Sequence, residues 1–550
     1  MIYLYNDYRD NESYHKIPDA EWRIEKCNNE LIQECIDKKL NLVEIYFDDE
    51  FDQSIEALQY CATLQQITFG KKFNQSIEAL QYCTTLQQIT FGKKFNQSIE
   101  ALAKCINLQQ ITFGICNYLQ QIIFVDNSMF NRSIEPLKHC RTLRYITFGM
   151  AFNHSIEHLQ YCTDLQQITF RYNSTFNQSI ESLSNCTNLE QIAFGKAFNQ
   201  SIESLSRTIN LRQITFGESF NQSIESLSNC TNLEQIAFGR AFNQSIESLG
   251  RTINLRQITF GESFNQSIEP LRKLPSLQDI TFGFSFNRSI KNLCTRLKYI
   301  KFCHNFNRSI KVLSKCTRLE QITFGFKFNK SIEPLRHCRA LQRITFYYNS
   351  SFNQSIESLA ECTDLKQITF GLMFNQSIKP LENCKTLQWI TFGRNFNQSI
   401  EPLRNCGTLR QITFSMKFNQ SIAPLATCKT LQNITFENYS EFNQSVEPLQ
   451  HCGILQQITF GYYFNQSVEP LQHCKALQQI TFGCSFNQSI EPLGHLEALQ
   501  QIIFSEKFNQ SIEPLQHCIN LEQITFGESF TQSVKNLCTH SPYLKIVIGE

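Results

Sequence analysis

FNQSIEALQYCTTLQQITFGKK, residues 73–94, is the stretch that decides the fold. It recurs from Phe51 to Phe530 with a dominant period of 22, starting again at Phe95, Phe130, Phe152 and Phe176. A period in this range means a solenoid, because each unit is one supersecondary element that buries its apolar face only by stacking on the next. One coil earlier, Leu64, Ile67 and Phe69 are expected to point inward while Gln65, Gln66 and Thr68 face solvent, which is a short strand. Gly70 then turns the chain. Ile77, Leu80 and Cys83 are spaced by three, the period of a 3₁₀ turn and not of an α-helix. Ser76 is placed to cap that turn, and Pro stands at the equivalent of residue 79 in later coils, such as Pro270 and Pro470, where first-turn amides have no partner to lose. Asn74, repeated in nearly every coil, is expected to form a buried asparagine ladder that satisfies turn backbone of its own coil and the next.

The strand segment follows the L-x-x-L-x-L pattern of a leucine-rich repeat, with Ile and Phe in the last two places. The expected architecture is a leucine-rich-repeat-like solenoid of about 22 coils, with a parallel β-sheet on its concave face and short 3₁₀ or helical turns on its convex face. At the usual strand spacing it would make an arc about 105 Å long. In its Phe-Asn-x-Ser-Ile and Leu-x-x-Ile-x-Phe-Gly blocks, residues 51 to about 540 resemble the FNIP-repeat family of amoebae and the large DNA viruses that infect them. The resemblance implies a leucine-rich-repeat-like fold and a role in protein interaction. Many FNIP proteins carry an N-terminal F-box that joins them to a ubiquitin ligase. Here Ile17-Pro18 is similar to an F-box start, but only one helix pattern follows, so residues 1–50 depart from that plan.

The chain is therefore read as an N-terminal cap at 1–47 (one helix plus the first strand), a solenoid at 48–540 and a capping strand at 541–550. Asp19 is expected to cap a helix carrying Ile24, Cys27, Leu31 and Cys35 on one face. Leu42, Ile45 and Phe47 form the first strand, and Leu544, Ile546 and Ile548 the last.

Composition narrows the function. Phe occurs 47 times against 2 Trp and 5 Met, so one residue type fills one recurring slot. Lys plus Arg (50) cancels Asp plus Glu (49), which leaves no electrostatic footprint for nucleic acid or an anionic membrane; neither is an expected partner. The first residues lack the pattern of a secretory signal, and no apolar run approaches the roughly 20 residues of a bilayer span. The protein is expected to be cytoplasmic, in a cell or in the host cell of a virus. Its Asn-Gln-Ser triplets are formal glycosylation sequons, but a ladder Asn carrying a glycan would be expected to break the fold. The cysteine column at Cys61, Cys83, Cys105, Cys140 and Cys162 is exchanged elsewhere for Thr208, Thr252, Leu274 or Leu496, as suits a small buried residue and not a metal ligand or disulfide partner. No nucleophile, metal, phosphate or dinucleotide motif occurs, so no catalytic residue, metal or cofactor is expected.

The departures from uniformity carry the candidate sites. In the solvent-facing Gln column (66, 88, 110, 121, 167 and on), side-chain amides are expected to bond along the stack, and Tyr145, Asp279, Tyr299, Arg343, Trp389 and Asn433 interrupt it. Arg343, Lys366, Trp389 and Arg410 replace glutamines in four successive coils and form a candidate partner-binding patch. Three coils are longer by two residues, at RYNST (171–175), YYNSS (347–351) and ENYSE (437–441), and bring Tyr172, Tyr347 and Tyr439 to one edge of the sheet. The coil at Phe286 is two residues short, and the coil around Cys116 to Met129 has lost its Phe-Asn half. The reading that follows is a non-enzymatic scaffold binding an unidentified protein on its concave face and insertion-bearing edge. The alternative is a substrate receptor contacting ubiquitin-ligase subunits through a degenerate F-box-like N-terminus.

Overall fold

The computed structural model describes residues 14–16, 21–27, 29–38, 40–92, 94–95, 97, 99–105, 107, 110–113, 120–124, 131, 133–534, 537 and 544–549. The chain divides into two compact units, Met1–Leu277 and Gln278–Glu550, made of the same coil.

The coil that begins at Phe396 shows the plan. Leu403 N–H donates to Ile400 O at 2.9 Å, Cys406 to Leu403 O at 2.9 Å and Leu409 to Cys406 O at 3.0 Å. Every bond spans three residues, so the four apolar side chains eclipse on one side, which is why the sequence repeats them by three. The 3₁₀ turn proper is Glu401–Asn405, and Ser399 Oγ accepts the Glu401 N–H at 3.2 Å as expected of the capping serine. The strand Gln411–Phe414 then pairs in parallel with Trp389–Thr391 on one side and Asn433–Phe436 on the other.

Inside each coil two phenylalanines stack. Phe392 lies 4.0 Å from Phe396, and Phe396 lies 6.2 Å from Phe418 of the next coil, with rings nearly parallel throughout. These rings are fully buried, each worth about 1.5–3 kcal/mol of burial, which accounts for the Phe-rich composition. Gly393 marks where backbones of successive coils touch, since a Cβ there would meet the Gly371 carbonyl oxygen at 1.9 Å.

The asparagine ladder is present in a particular form. Asn397 N–H donates to Asn375 Oδ1 at 2.9 Å, Asn419 N–H to Asn397 Oδ1 at 3.0 Å, and the pattern recurs coil after coil. The asparagines are half-buried or exposed, not fully buried as expected. The following Gln reinforces each rung, as Gln420 Nε2 donates to the same Asn397 Oδ1 at 3.1 Å. Coil length does not disturb it. Across the short coil the bond runs from Asn307 to Asn287, and across a long one from Asn177 to Asn153, so the ladder holds register while separations vary from 20 to 24 residues.

At the start, β1 (Tyr14–Lys16) is antiparallel to β2 (Glu21–Cys27), and β2 is parallel to β3 (Asn41–Phe47) with α1 (Asn29–Asp37) as the crossover. This corrects the expected helix. Ile24 and Cys27 belong to a strand, the buried helical residues are Ile32 and Cys35, and Asp19 falls outside the described residues. Backbone pairing with β1 on one side and β3 on the other draws the segment into the sheet, whatever its helical spacing. Among the described residues the parallel ladder runs from β3 to Gln110–Phe113, and a second runs from Gln121–Ile123 on to Gln257–Thr259. Between them lies the coil that lost its Phe-Asn half, most of which falls outside the described residues. In the second unit, each strand from Asp279–Thr281 to Lys545–Ile548 pairs in parallel with the next.

Candidate binding surface

The sheet face is built from two adjoining columns per strand. Arg410 and Gln411 illustrate them: both N–H groups bond the same Gln388 oxygen, at 2.9 and 3.0 Å, so two consecutive side chains can meet solvent where each strand begins. Arg343 and Trp389 occupy the second column and Lys366 and Arg410 the first, so the candidate patch is brought together as a zigzag across four coils. All four are exposed, Trp389 by 36 %. Lys366 Nζ donates to Gln342 Oε1 at 3.1 Å; Arg343, Lys366 and Arg410 have no acidic partner among the described residues.

The first unit treats the same face differently. Glu190, Arg212, Glu234 and Arg256 alternate in sign along the first column, with N–O separations of 3.8, 3.4 and 3.8 Å. Over these four coils the face neutralises itself. Tyr145, also of this unit, is exposed and its hydroxyl donates to Gln166 Oε1 at 3.0 Å.

The glutamine column does not zip together as expected. Among the described residues no Gln of this column bonds the Gln of the next coil; Gln167 Nε2 instead donates to Thr169 Oγ1 of its own strand at 3.3 Å. A hydroxyl two residues along the same face is the nearer acceptor. Asn433 continues the column half-exposed, and Asp279 and Tyr299 face each other on adjacent strands. Burial raises the pKa of the Asp279 carboxyl, and Lys298 partly offsets it.

The long coils each fold a serine inward: Ser174, Ser350 and Ser440 are buried, and their Oγ atoms accept the N–H of Phe176, Phe352 and Phe442. Tyr172 and Tyr439 stand at exposed tips, Tyr439 by 65 %, while the Tyr172 hydroxyl bonds the Glu218 carboxylate. Tyr347 does not belong with them. It lies half-buried on the sheet face, with its hydroxyl 3.8 Å from Cys303 Sγ and Lys301 Nζ 6.0 Å above its ring, and Tyr348 takes the exposed place. Lys301, Cys303 and Tyr348 went unnoticed in the sequence because each departs from a different column.

The column cysteines are buried, with Cys406 Sγ 3.8 Å from Leu381 O, and burial pushes the thiols up to about 12 at Cys384, Cys406 and Cys452. The described cysteines from Cys35 to Cys518 are free. No group of three or more His, Cys, Asp or Glu side chains able to hold a metal occurs among the described residues, and none of their helices is long and apolar enough to cross a membrane.

Parallel strands, 3₁₀ turns and a stacked apolar interior define a leucine-rich-repeat solenoid. No family model matches the chain, and no curated protein matches it in sequence. Among solved structures it is similar to that of CroV588, a giant-virus protein described as a novel circular LRR protein structure, at 25% identity and TM-score 0.50, covering 98% of this chain and 93% of that one. An internalin of Listeria monocytogenes aligns at 17% identity and TM-score 0.46 over 60% of this chain and 89% of its own.

Proposed function

We propose that the protein is a non-enzymatic repeat scaffold that binds another protein on the sheet face of its second unit, with Arg343, Lys366, Trp389 and Arg410 receiving an acidic surface. One observation carries this reading: those cations are exposed without acidic partners around an exposed tryptophan, whereas Glu190, Arg212, Glu234 and Arg256 in the first unit and Lys298 and Glu320 in the second pair with each other along the same face. Unpaired cations beside an aromatic anchor are what an acidic partner would satisfy. A scaffold role also suits the fold, which offers a long surface of repeating groups and no convergence of unlike ones.

The test is affinity capture with the full chain, followed by binding measurements on the recovered partner. Trp389→Ala is expected to weaken binding by about 2 kcal/mol or more, and Arg343→Ala by less, with the melting temperature unchanged. Unaltered affinity in both variants overturns the assignment.

A further inference from the structure

The turn that follows each strand changes character between the units. In four successive coils of the first, its leading position holds Lys196, Glu218, Arg240 and Glu262, ion-paired at 3.4 Å (Lys196–Glu218) and 2.9 Å (Arg240–Glu262). In the first four coils of the second it holds Phe284, His304, Phe326 and Tyr348. Phe284 and His304 stack at 4.2 Å and His304 and Phe326 at 4.7 Å, with rings within 15° of parallel. These rings lie outside the core; Phe284 is 47 % and Tyr348 59 % exposed. A stack of three rings at least partly open to solvent, Phe284–His304–Phe326, with exposed Tyr348 in the next coil, marks an interaction surface where the preceding coils carry charge.

The strip abuts the basic face. Cys303, next to His304, is the residue whose Sγ meets the Tyr347 hydroxyl, and Lys301 lies over the Tyr347 ring. Rings and unpaired cations are therefore one continuous surface. Stacked face to face, the rings turn their edges outward; ring edges carry partial positive charge and suit carboxylates and side-on apolar contact, whereas a nucleobase would need a free ring face.

We propose that this surface takes an extended acidic segment of a partner protein that also carries aromatic side chains. The carboxylates pair with Lys301, Arg343 and Lys366, and the rings pack along Phe284, His304 and Phe326. This rests on the reading above for the basic face and adds the aromatic edge as the determinant of which acidic sequences bind.

The experiment uses the full chain with Trp22→Phe, so that Trp389 fluorescence reports binding, and three probes: a random Glu–Tyr copolymer, poly-Glu of equal length and single-stranded oligo-dT. The copolymer is expected to bind at least about tenfold tighter than poly-Glu. Phe284→Ser combined with Tyr348→Ser, both at exposed positions, should abolish that preference and leave poly-Glu affinity unchanged. Arg343→Glu should weaken both acidic polymers. Equal affinity for the two polymers, or a preference that survives the edge variant, overturns the aromatic edge and leaves the basic face standing. Tighter binding of oligo-dT than of either polymer overturns the assignment to protein. An Arg343→Glu variant that binds as before overturns the earlier reading instead.

Discussion

At the scale of single residues, the ladder depends on one atom. Asn397 Oδ1 accepts both the Asn419 N–H and Gln420 Nε2, while its own Nδ2 makes no hydrogen bond among the described residues. The chain contains its own substitutions at the ends of the ladder. Asp52 Oδ1 accepts the Asn74 N–H at 2.8 Å, and Thr531 N–H donates to Asn509 Oδ1 at 3.0 Å. An acceptor is thus sufficient. Asn397→Asp is expected to keep the Asn419 amide protected in hydrogen exchange, and Asn397→Ala to lose that protection with a local cost of about 1–3 kcal/mol. The same geometry revises the expectation about sequons: a glycan would take Nδ2, which the ladder does not use, so the structural role of Asn does not itself forbid one. The cysteines give a pH dependence. Folded column thiols such as Cys406 hold their protons to about pH 12, while unfolded ones release them near their ordinary value of about 8.5. Below that value both states are protonated and nothing is gained or lost; above it the unfolded state sheds protons first. Under reducing conditions, melting temperature should therefore fall steadily from about pH 9 upward, and a flat profile would contradict the burial. Half-exposed Cys303 and Cys484 should be alkylated in the native protein before any residue of the column.

At the scale of elements, spacing by three was enough to read the 3₁₀ turn, because Ile400, Leu403 and Cys406 are locked by bonds of that same span. Helix α1 was misplaced for the opposite reason. Ile24 and Cys27 have helical spacing with Leu31, yet strand pairing with β3 decides their conformation, and pairing is a long-range fact that no local period records. The aromatic edge had a signal in the column after the Gly, which changes from charge to rings at Phe284, but it emerges only when columns are compared between coils. One local choice remains open to improvement. Ser182, Ser204, Ser226 and Ser248 stand where other coils carry Pro270, Pro380 or Pro402, and their Oγ atoms are buried without a partner. In a later coil the equivalent Ser358 does find one, Ile332 O at 3.0 Å. Replacing each of the four by Pro should stabilise by about 0.4–1 kcal/mol, through lower unfolded-state entropy and removal of an unsatisfied hydroxyl. Thermal melts of the single and quadruple variants check this.

At the scale of the molecule, uniform coils make length adjustable and leave identity to the exceptions. Residues 176–219 and 220–263 are near copies, and strands 22 residues apart pair in register through this region. Deleting 220–263 joins like to like and should leave a folded chain with unchanged circular dichroism per residue, whereas deleting 220–252 cuts a coil midway and should unfold its neighbours. Function follows the same logic, since the two units share a backbone but not a surface. Coils 190–262 of the first unit pair charge on the sheet face and turn edge, and coils 284–410 of the second expose cations on one and rings on the other. The most direct test is the dissociation constant of the captured partner for a chain carrying Arg343→Glu and Lys366→Glu, compared with one carrying the same charge change at Arg207 and Arg251, exposed residues of the first unit's turn face. Binding to the first should weaken about tenfold or more, with a shallower salt dependence than the unaltered chain, and binding to the second should stay within about twofold. Equal losses in both, or none in either, would contradict the account.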